Sequence, residues 1–169
     1  MATEGDVLRL AFSDRDFLDV AELTRLAGPA RGEAVEESIR RLVRANDLVR
    51  GPFLPEWPYE DWAEATRAEV DRVALTVLEE LARALASSGH PDLAIPHQRR
   101  LVALEPEREG HHRALMDAYD ATGERAMALR QYHACRVVLR RELGVEPSSA
   151  TRAAFLRLLG EQPLVELAV

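Results

Sequence analysis

Residues 81–104 read LARALASSGHPDLAIPHQRRLVAL, and residues 115–138, thirty-four positions later, read LMDAYDATGERAMALRQYHACRVV. The two stretches correspond in kind along most of their length, and the glycines Gly89 and Gly123 coincide. Apolar residues recur at intervals of three and four on either side of each glycine, a spacing typical of amphipathic helices. Each stretch therefore predicts a helix, a tight turn at glycine and a second helix.

A helix–turn–helix unit with a 34-residue period is typical of tetratricopeptide (TPR) repeats. The predicted helix pairs are 70–88 with 91–104, and 110–122 with 125–143. Small residues at Ala82 and Ala94 let the paired helices approach closely. We therefore expect an all-α fold in which TPR-like antiparallel helical hairpins stack as a short right-handed solenoid.

Two stacked repeats expose apolar faces at both ends, so both ends need a covering layer. On the N-terminal side, a capping box at Ser13 and Asp16 predicts a helix that ends near Gly28. A second helix is expected over residues 33–46. The one clear strand signal, residues 7–12, is too short to form a sheet alone.

On the C-terminal side, Gly144 is expected to end the last repeat helix in a left-handed conformation. Ser148 or Ser149 would cap a final helix that ends at Gly160. The predicted organisation is an N-terminal arm or linker over 1–12, a helical domain over 13–160 with repeats near 70–105 and 108–143 and a capping helix over 148–160, and a tail over 161–169.

The 169-residue chain has a net charge of −7, which is distributed unevenly. Residues 1–80 carry 18 acidic residues against 10 arginines, and residues 81–169 carry 11 against 12. Neither part has the clustered positive charge that neutralises phosphates, so direct nucleic-acid binding is not expected. The sequence shows no membrane span and no secretory signal, and its single Cys135 cannot form an internal disulfide. These features predict a cytoplasmic protein without membrane contact.

Histidine and cysteine residues do not follow a metal-binding or catalytic spacing. The adjacent His111 and His112 would point about 100° apart on a helix. His133 and Cys135 also lie on different helix faces. We expect a packing role for His112 and a buried, inert thiol at Cys135. Phosphate-binding glycine loops and nucleophile elbows are not found, so we expect no enzyme activity, no cofactor and no metal.

The first helix of each repeat supplies the candidate binding residues. In TPR proteins these helices line a concave groove, and the repeat register places Glu79, Arg83, Arg113 and Asp117 there. Their mixed charges could hold a peptide or a helix terminus. The alternative is that they pair with one another on the surface and contribute little.

The segment GPFLPEWPYEDW, residues 51–62, interrupts the helical pattern with three prolines and both tryptophans. One PxxP spacing permits a proline-rich ligand, but the position between helices favours an internal connector. We expect its large side chains to pack on the N-terminal helices and the first repeat as a structural buckle. The residues concerned are Phe53, Leu54, Trp57 and Trp62.

Three motifs resemble the bacterial transcriptional activator domain, the TPR-like module of SARP-type regulators. They are LVRGPFLPEWPYEDWAEATRAEV (48–70), EREGHHRALMDAY (107–119) and LRRELGVEPSSATRAAFLRLL (139–159), and the resemblance covers residues 13–159. In that family the module usually follows a winged helix-turn-helix domain. It helps to contact the transcription machinery or couples DNA binding to signal domains.

The chain departs from that family pattern because it has no room for the DNA-binding domain and begins with acidic residues. We therefore expect either a fragment of a larger regulator or a stand-alone module. The resemblance implies a protein partner, such as RNA polymerase, a sigma subunit or a regulatory domain. The alternatives are a generic TPR adaptor or scaffold, or a homodimerisation module unrelated to transcription.

Overall fold

Seven helices and one short β-ribbon form the secondary structure of the residues that the structure describes. This is a computed structural model, and it describes residues 2–4, 7–9, 19–28, 32–51, 53–56 and 59–160. The helices are α1 (Asp19–Ala27), α2 (Val35–Leu48), α3 (Asp61–Ser87), α4 (Pro91–Leu104), α5 (Glu109–Ala121), α6 (Arg125–Leu143) and α7 (Ser149–Leu159). None of these helices has the length and apolar character that a membrane crossing requires.

The β-ribbon pairs β1 (Ala2–Glu4) with β2 (Val7–Arg9) in an antiparallel arrangement. The sequence predicted a strand over residues 7–12, and β2 lies inside that range. Residues 10–12 lie outside the described residues. The pairing partner of β2 comes from the segment directly before it, which carries no strand signal of its own.

Helices α3 to α6 form the two predicted hairpins. Helix α3 packs against α4, α4 against α5, and α5 against α6. The bounds of α4 and α6 equal the predicted ranges 91–104 and 125–143. Ala82 and Ala94, expected to allow close approach, are both buried. The all-α, TPR-like fold is therefore confirmed.

The same turn closes both hairpins. Gly89 and Gly123 adopt left-handed φ values of 84° and 79°. In the second turn the amide of Gly123 donates to the Asp120 carbonyl at 2.9 Å, and the amide of Glu124 donates to the Tyr119 carbonyl at 2.7 Å. The first turn repeats both bonds 34 residues earlier, from Gly89 and the following residue. This is the Schellman arrangement, which satisfies carbonyls that the helix end would leave without partners.

Helices α1 and α2 pack against α3. An ion pair joins α2 to the loop that precedes it: Arg41 Nε lies 3.0 Å from Glu33 Oε2, and both side chains are at most 15% exposed. Arg41 also donates to the carbonyl of Leu26 at the end of α1. The shared core is formed by Leu23, Leu26, Leu42, Ala45, Val73 and Val77, among others. The predicted capping box at residues 13 and 16 lies outside the described residues, and α2 runs two residues later than expected.

In the connector between α2 and α3, the predicted packing of Trp62 as part of the buckle is wrong. Trp62 is 67% exposed, because α3 begins at Asp61 and its first turn directs Ala63, not Trp62, into the core. Phe53 and Leu54 are half-buried and line a cavity together with residues of α1, α2 and α3. Their role in holding the N-terminal helices against the first repeat stays a prediction. Trp57 lies outside the described residues.

Helix α7 covers the C-terminal end of the second hairpin. Gly144 ends α6 with a left-handed φ of 67°, as predicted. The Ser148 hydroxyl accepts from the amide of Thr151 as the predicted cap, and it donates to the Glu109 carboxylate of α5 at 2.8 Å. The ring of Phe155 stacks on that of Tyr132 of α6, with ring centroids 4.0 Å apart. These contacts fix α7 against α5 and α6.

The turn at Gly123 predicts a glycine-specific loss of stability. Gly123→Ala places a Cβ in a left-handed conformation, where nothing lies within 4 Å and the cost is backbone strain alone. We expect the free energy of unfolding to fall by about 1–2 kcal/mol in urea denaturation. The matched control, Gly110→Ala inside α5, should gain up to about 1 kcal/mol. Equal effects of the two substitutions would contradict the strain account.

Candidate functional site

A groove of about 830 Å³ runs between α3 and α5, with α4 as its floor. Seven of its sixteen lining residues are alanine or glycine, so at these positions the backbone is covered by no more than a Cβ atom. This leaves room for another chain between the two helices. The small residues along the groove are Ala82, Ala86, Gly89, Gly110, Ala114, Ala118 and Ala121.

Three of the four predicted groove residues line this groove. Glu79 and Arg83 lie on α3, and Asp117 lies on α5. Asp117 forms an ion pair with Arg157 of α7, with Oδ1 and Nη2 separated by 2.6 Å. Arg83 is exposed and has no ion-pair or hydrogen-bond partner among the described residues. The alternative that the four predicted residues pair with one another does not hold, because Glu79 and Asp117 pair with Arg108 and Arg157 instead.

Arg113 does not line the groove. Its Nη1 donates to the hydroxyl of Thr151 on α7 at 2.9 Å, and Thr151 is fully buried. The repeat register places Arg113 in the position of Glu79, but in the second hairpin the capping helix α7 occupies the space in front of that position. The prediction that Arg113 belongs to the groove is corrected by this contact.

One end of the groove carries a compact charged cluster. Arg108 Nη1 lies 2.5 Å from Glu79 Oε1 and 2.8 Å from Glu105 Oε2. The ring nitrogen His111 Nε2 lies 2.8 Å from the same Glu105 oxygen. Hydrogen bonds from Arg108 and His111 hold the pKa of the Glu105 carboxyl below its ordinary value. The cluster joins α3, α5 and the loop before α5.

Sequence spacing gave no signal for this cluster, although it contains metal-ligating side chains. Oxygens of Glu79 and Glu105 and a nitrogen of His111 all lie within 4.8 Å of one another. The guanidinium of Arg108 contacts both carboxylates, so it supplies the positive charge that a cation would supply there. The arrangement is therefore explained as an ion-pair network.

His112 has the predicted packing role and is fully buried. Its Nε2 lies 2.9 Å from the Pro106 carbonyl, so this nitrogen donates. Its Nδ1 lies 2.7 Å from the side-chain nitrogen of Gln131 and therefore accepts. Both bonds need the neutral imidazole, and burial lowers the pKa of His112.

Cys135 has the buried, inert character that the sequence predicted. It is fully buried in α6. Burial raises the pKa of its thiol to about 11. Because the thiolate is the nucleophilic form, this cysteine is unreactive at neutral pH.

Replacing Arg113 should destabilise the fold, whereas replacing Arg83 should not. Arg113→Ala removes a charged donor from the buried Thr151 hydroxyl, and we expect the free energy of unfolding to fall by about 1.5–3 kcal/mol. The control Arg83→Ala should change it by no more than about 0.5 kcal/mol, because Arg83 is exposed. Urea denaturation followed by circular dichroism measures both. Similar losses would show that the two arginines have the same role.

His112 predicts a loss of stability in mild acid. The unfolded chain binds a proton at this histidine near pH 6.5, whereas the folded chain binds it only at lower pH. Stability is therefore fully present above the unfolded pKa and falls as the pH drops below it, by up to about 1.4 kcal/mol per unit for one proton. Urea denaturation from pH 7.5 to 5.5 should show a shallower decline for His112→Gln than for the wild type. The exposed His90→Gln control should keep the wild-type decline, and parallel declines in all three would contradict the assignment.

Comparison with known proteins identifies relatives among transcriptional regulators. The family model of the bacterial transcriptional activator domain matches residues 17–159, which contain all seven described helices. Transcriptional regulatory protein MoaR1 of Mycobacterium tuberculosis is 31% identical over 172 residues, covering 99% of this chain and 55% of MoaR1. Transcriptional regulatory protein EmbR of the same organism is 29% identical over 147 residues, covering 86% of this chain and 37% of EmbR.

The helical architecture matches a solved structure of one of these relatives. Mycobacterium tuberculosis EmbR in complex with a low-affinity phosphopeptide superposes with a TM-score of 0.67 at 27% identity, over 86% of this chain and 38% of that one. The chain thus spans little more than half the length of MoaR1 and little more than a third of EmbR. The match of the family model over most of the chain agrees with the three sequence motifs and with the fold. The chain therefore belongs to the bacterial transcriptional activator domain family, the helical module of SARP-type regulators.

Proposed function

We propose that this chain is the protein-interaction module of a bacterial transcriptional regulator. The transcriptional part is supported by the family and by relatives whose names are those of transcriptional regulatory proteins. The groove between α3 and α5 supports action through protein contact, because it offers space lined by small side chains and edged by charged ones. A binding role is favoured over an enzymatic one, since the family is an activator domain and not a class of enzymes.

The partners that we propose are RNA polymerase or a sigma subunit, or an adjoining regulatory domain of the same regulator. The related EmbR structure is a complex with a phosphopeptide, so at least one relative binds a peptide ligand. The net charge of −7 supports contact with protein and disfavours contact with nucleic-acid phosphates.

Blocking the groove should weaken partner binding. Ala114 is exposed on α5 and lines the groove, so Ala114→Trp fills the groove without disturbing the core. We expect the substitution to weaken binding to immobilised mycobacterial RNA polymerase core or its sigma subunit by about tenfold or more. Surface plasmon resonance with the purified chain measures this affinity.

The matched control is Ala134→Trp, at an exposed position of α6 away from the groove. It should bind like the wild type. Equal losses in both variants would contradict the proposal, as would a wild-type chain that binds neither RNA polymerase, nor its sigma subunit, nor an adjoining regulatory domain. Light scattering on the same samples tests self-association, because a dimer that dissociates on Ala114→Trp would assign the groove to a second copy of this chain.

A further inference from the structure

Gln98 is a buried amide without a partner for its oxygen. It lies on α4, at the floor of the groove, and is 3% exposed. No described residue donates a hydrogen bond to its Oε1. Buried polar atoms are nearly always paired, and leaving one unpaired costs free energy. Such an atom in the floor of a groove is explained if a bound molecule supplies the missing donor.

Comparison of the two hairpins shows how the space in front of Gln98 arises. The position 34 residues later is Tyr132, whose ring stacks on Phe155 of α7. Phe155 of α7 is equivalent to Ala118 of α5, because each lies five residues before a glycine in the left-handed conformation, Gly160 and Gly123 respectively. The first hairpin thus has Gln98 and Ala118 where the second has two stacked rings, and both of these smaller residues line the groove.

The chemistry of an amide side chain matches that of a peptide main chain. A glutamine amide accepts through its oxygen and donates through its nitrogen, and a peptide unit offers the complementary N–H and C=O groups. Alanine and glycine walls let a backbone come close to Gln98. An α-helix uses its main-chain groups internally, so an extended segment is the form that can pair with Gln98.

Charge identifies a second feature of the occupant. Glu79 is paired with Arg108, and Asp117 is paired with Arg157. Among the charged side chains that line the groove, Arg83 is the one for which the described residues offer no partner. A guanidinium binds carboxylates through paired hydrogen bonds, so an acidic side chain of the occupant would complete the charge balance.

We propose that the groove binds an extended, acidic peptide segment of a partner protein. The main chain of that segment pairs with the Gln98 amide, and an aspartate or glutamate of the segment pairs with Arg83. This inference rests on the proposed role as a protein-interaction module and specifies the form of ligand that the module takes.

A peptide selection tests the proposal on the intact chain. A random seven-residue library displayed on phage is selected against the wild-type protein, and enriched sequences are expected to share an aspartate or glutamate at one position. The affinity of one synthetic enriched peptide is then measured by fluorescence anisotropy. We expect Gln98→Leu and Arg83→Gln each to weaken it about tenfold, and the control Arg100→Gln, on α4 but outside the groove, to leave it within twofold. Exchange of the shared acid for its amide should weaken binding to the wild type but not to Arg83→Gln.

Methylation of the peptide backbone tests main-chain recognition separately. Each backbone nitrogen of the synthetic peptide is N-methylated in turn, and one position is expected to lose binding about tenfold with the wild type and much less with Gln98→Leu. Thermal denaturation separates binding from a structural role. The midpoint for Gln98→Leu should equal or exceed the wild-type value because the unpaired oxygen is removed, whereas Gln131→Leu should lower it because Gln131 is bonded to His112.

Several results would overturn the proposal. These are a selection without enrichment, an affinity that Gln98→Leu does not change, and a midpoint that Gln98→Leu lowers as much as Gln131→Leu does. If no peptide binds while RNA polymerase is still captured in a manner blocked by Ala114→Trp, the extended-peptide inference fails and the proposed function stands. If peptides bind through Gln98 while RNA polymerase, its sigma subunit and adjoining domains do not, the proposed function fails and the peptide site stands.

Discussion

The left-handed turn at the end of α3, repeated at the end of α5, fixes the geometry on which the groove depends. Each turn uses the same pair of hydrogen bonds at the same 34-residue offset, so both hairpins reverse the chain in the same way. Equal hairpins can stack, because the helix that closes one hairpin meets the helix that opens the next. This stacking puts α4 behind both α3 and α5 and makes it the floor of the groove.

On this common backbone, side-chain size decides what each hairpin does. Large rings at Tyr132 and Phe155 fill the second hairpin and attach α7 to it. Burial of aromatic area is a strong stabilising contribution, so the C-terminal end is closed by packing. The equivalent residues of the first hairpin, Gln98 and Ala118, are smaller and leave a groove. Closure and binding therefore arise from one architecture with different residues at two positions.

Local signals predicted the helices of the repeats, the turn glycines and the Ser148 cap, because each depends on residues close together in the sequence. The candidate site was less predictable. Arg83 and Arg113 are both first-helix arginines in the repeat register, yet a contact with Thr151, 38 residues away, removes Arg113 from the groove. The orientation of Trp62 was also not predictable from local sequence. Its aromatic character predicted burial, but the first turn of α3 buries Ala63 instead. The loop before α5 brings Arg108 to Glu79, a juxtaposition that no spacing rule describes.

The length of α3 has a mechanical consequence. This helix has 27 residues and carries the exposed Trp62 in its first turn and Arg83 near its other end. At about 1.5 Å per residue, the two positions are about 32 Å apart along one continuous rod. A molecule that contacts both Trp62 and Arg83 would have to span this distance, because α3 cannot shorten unless its backbone hydrogen bonds break. The helix that forms one wall of the groove thus also holds Trp62 and Arg83 at a fixed separation.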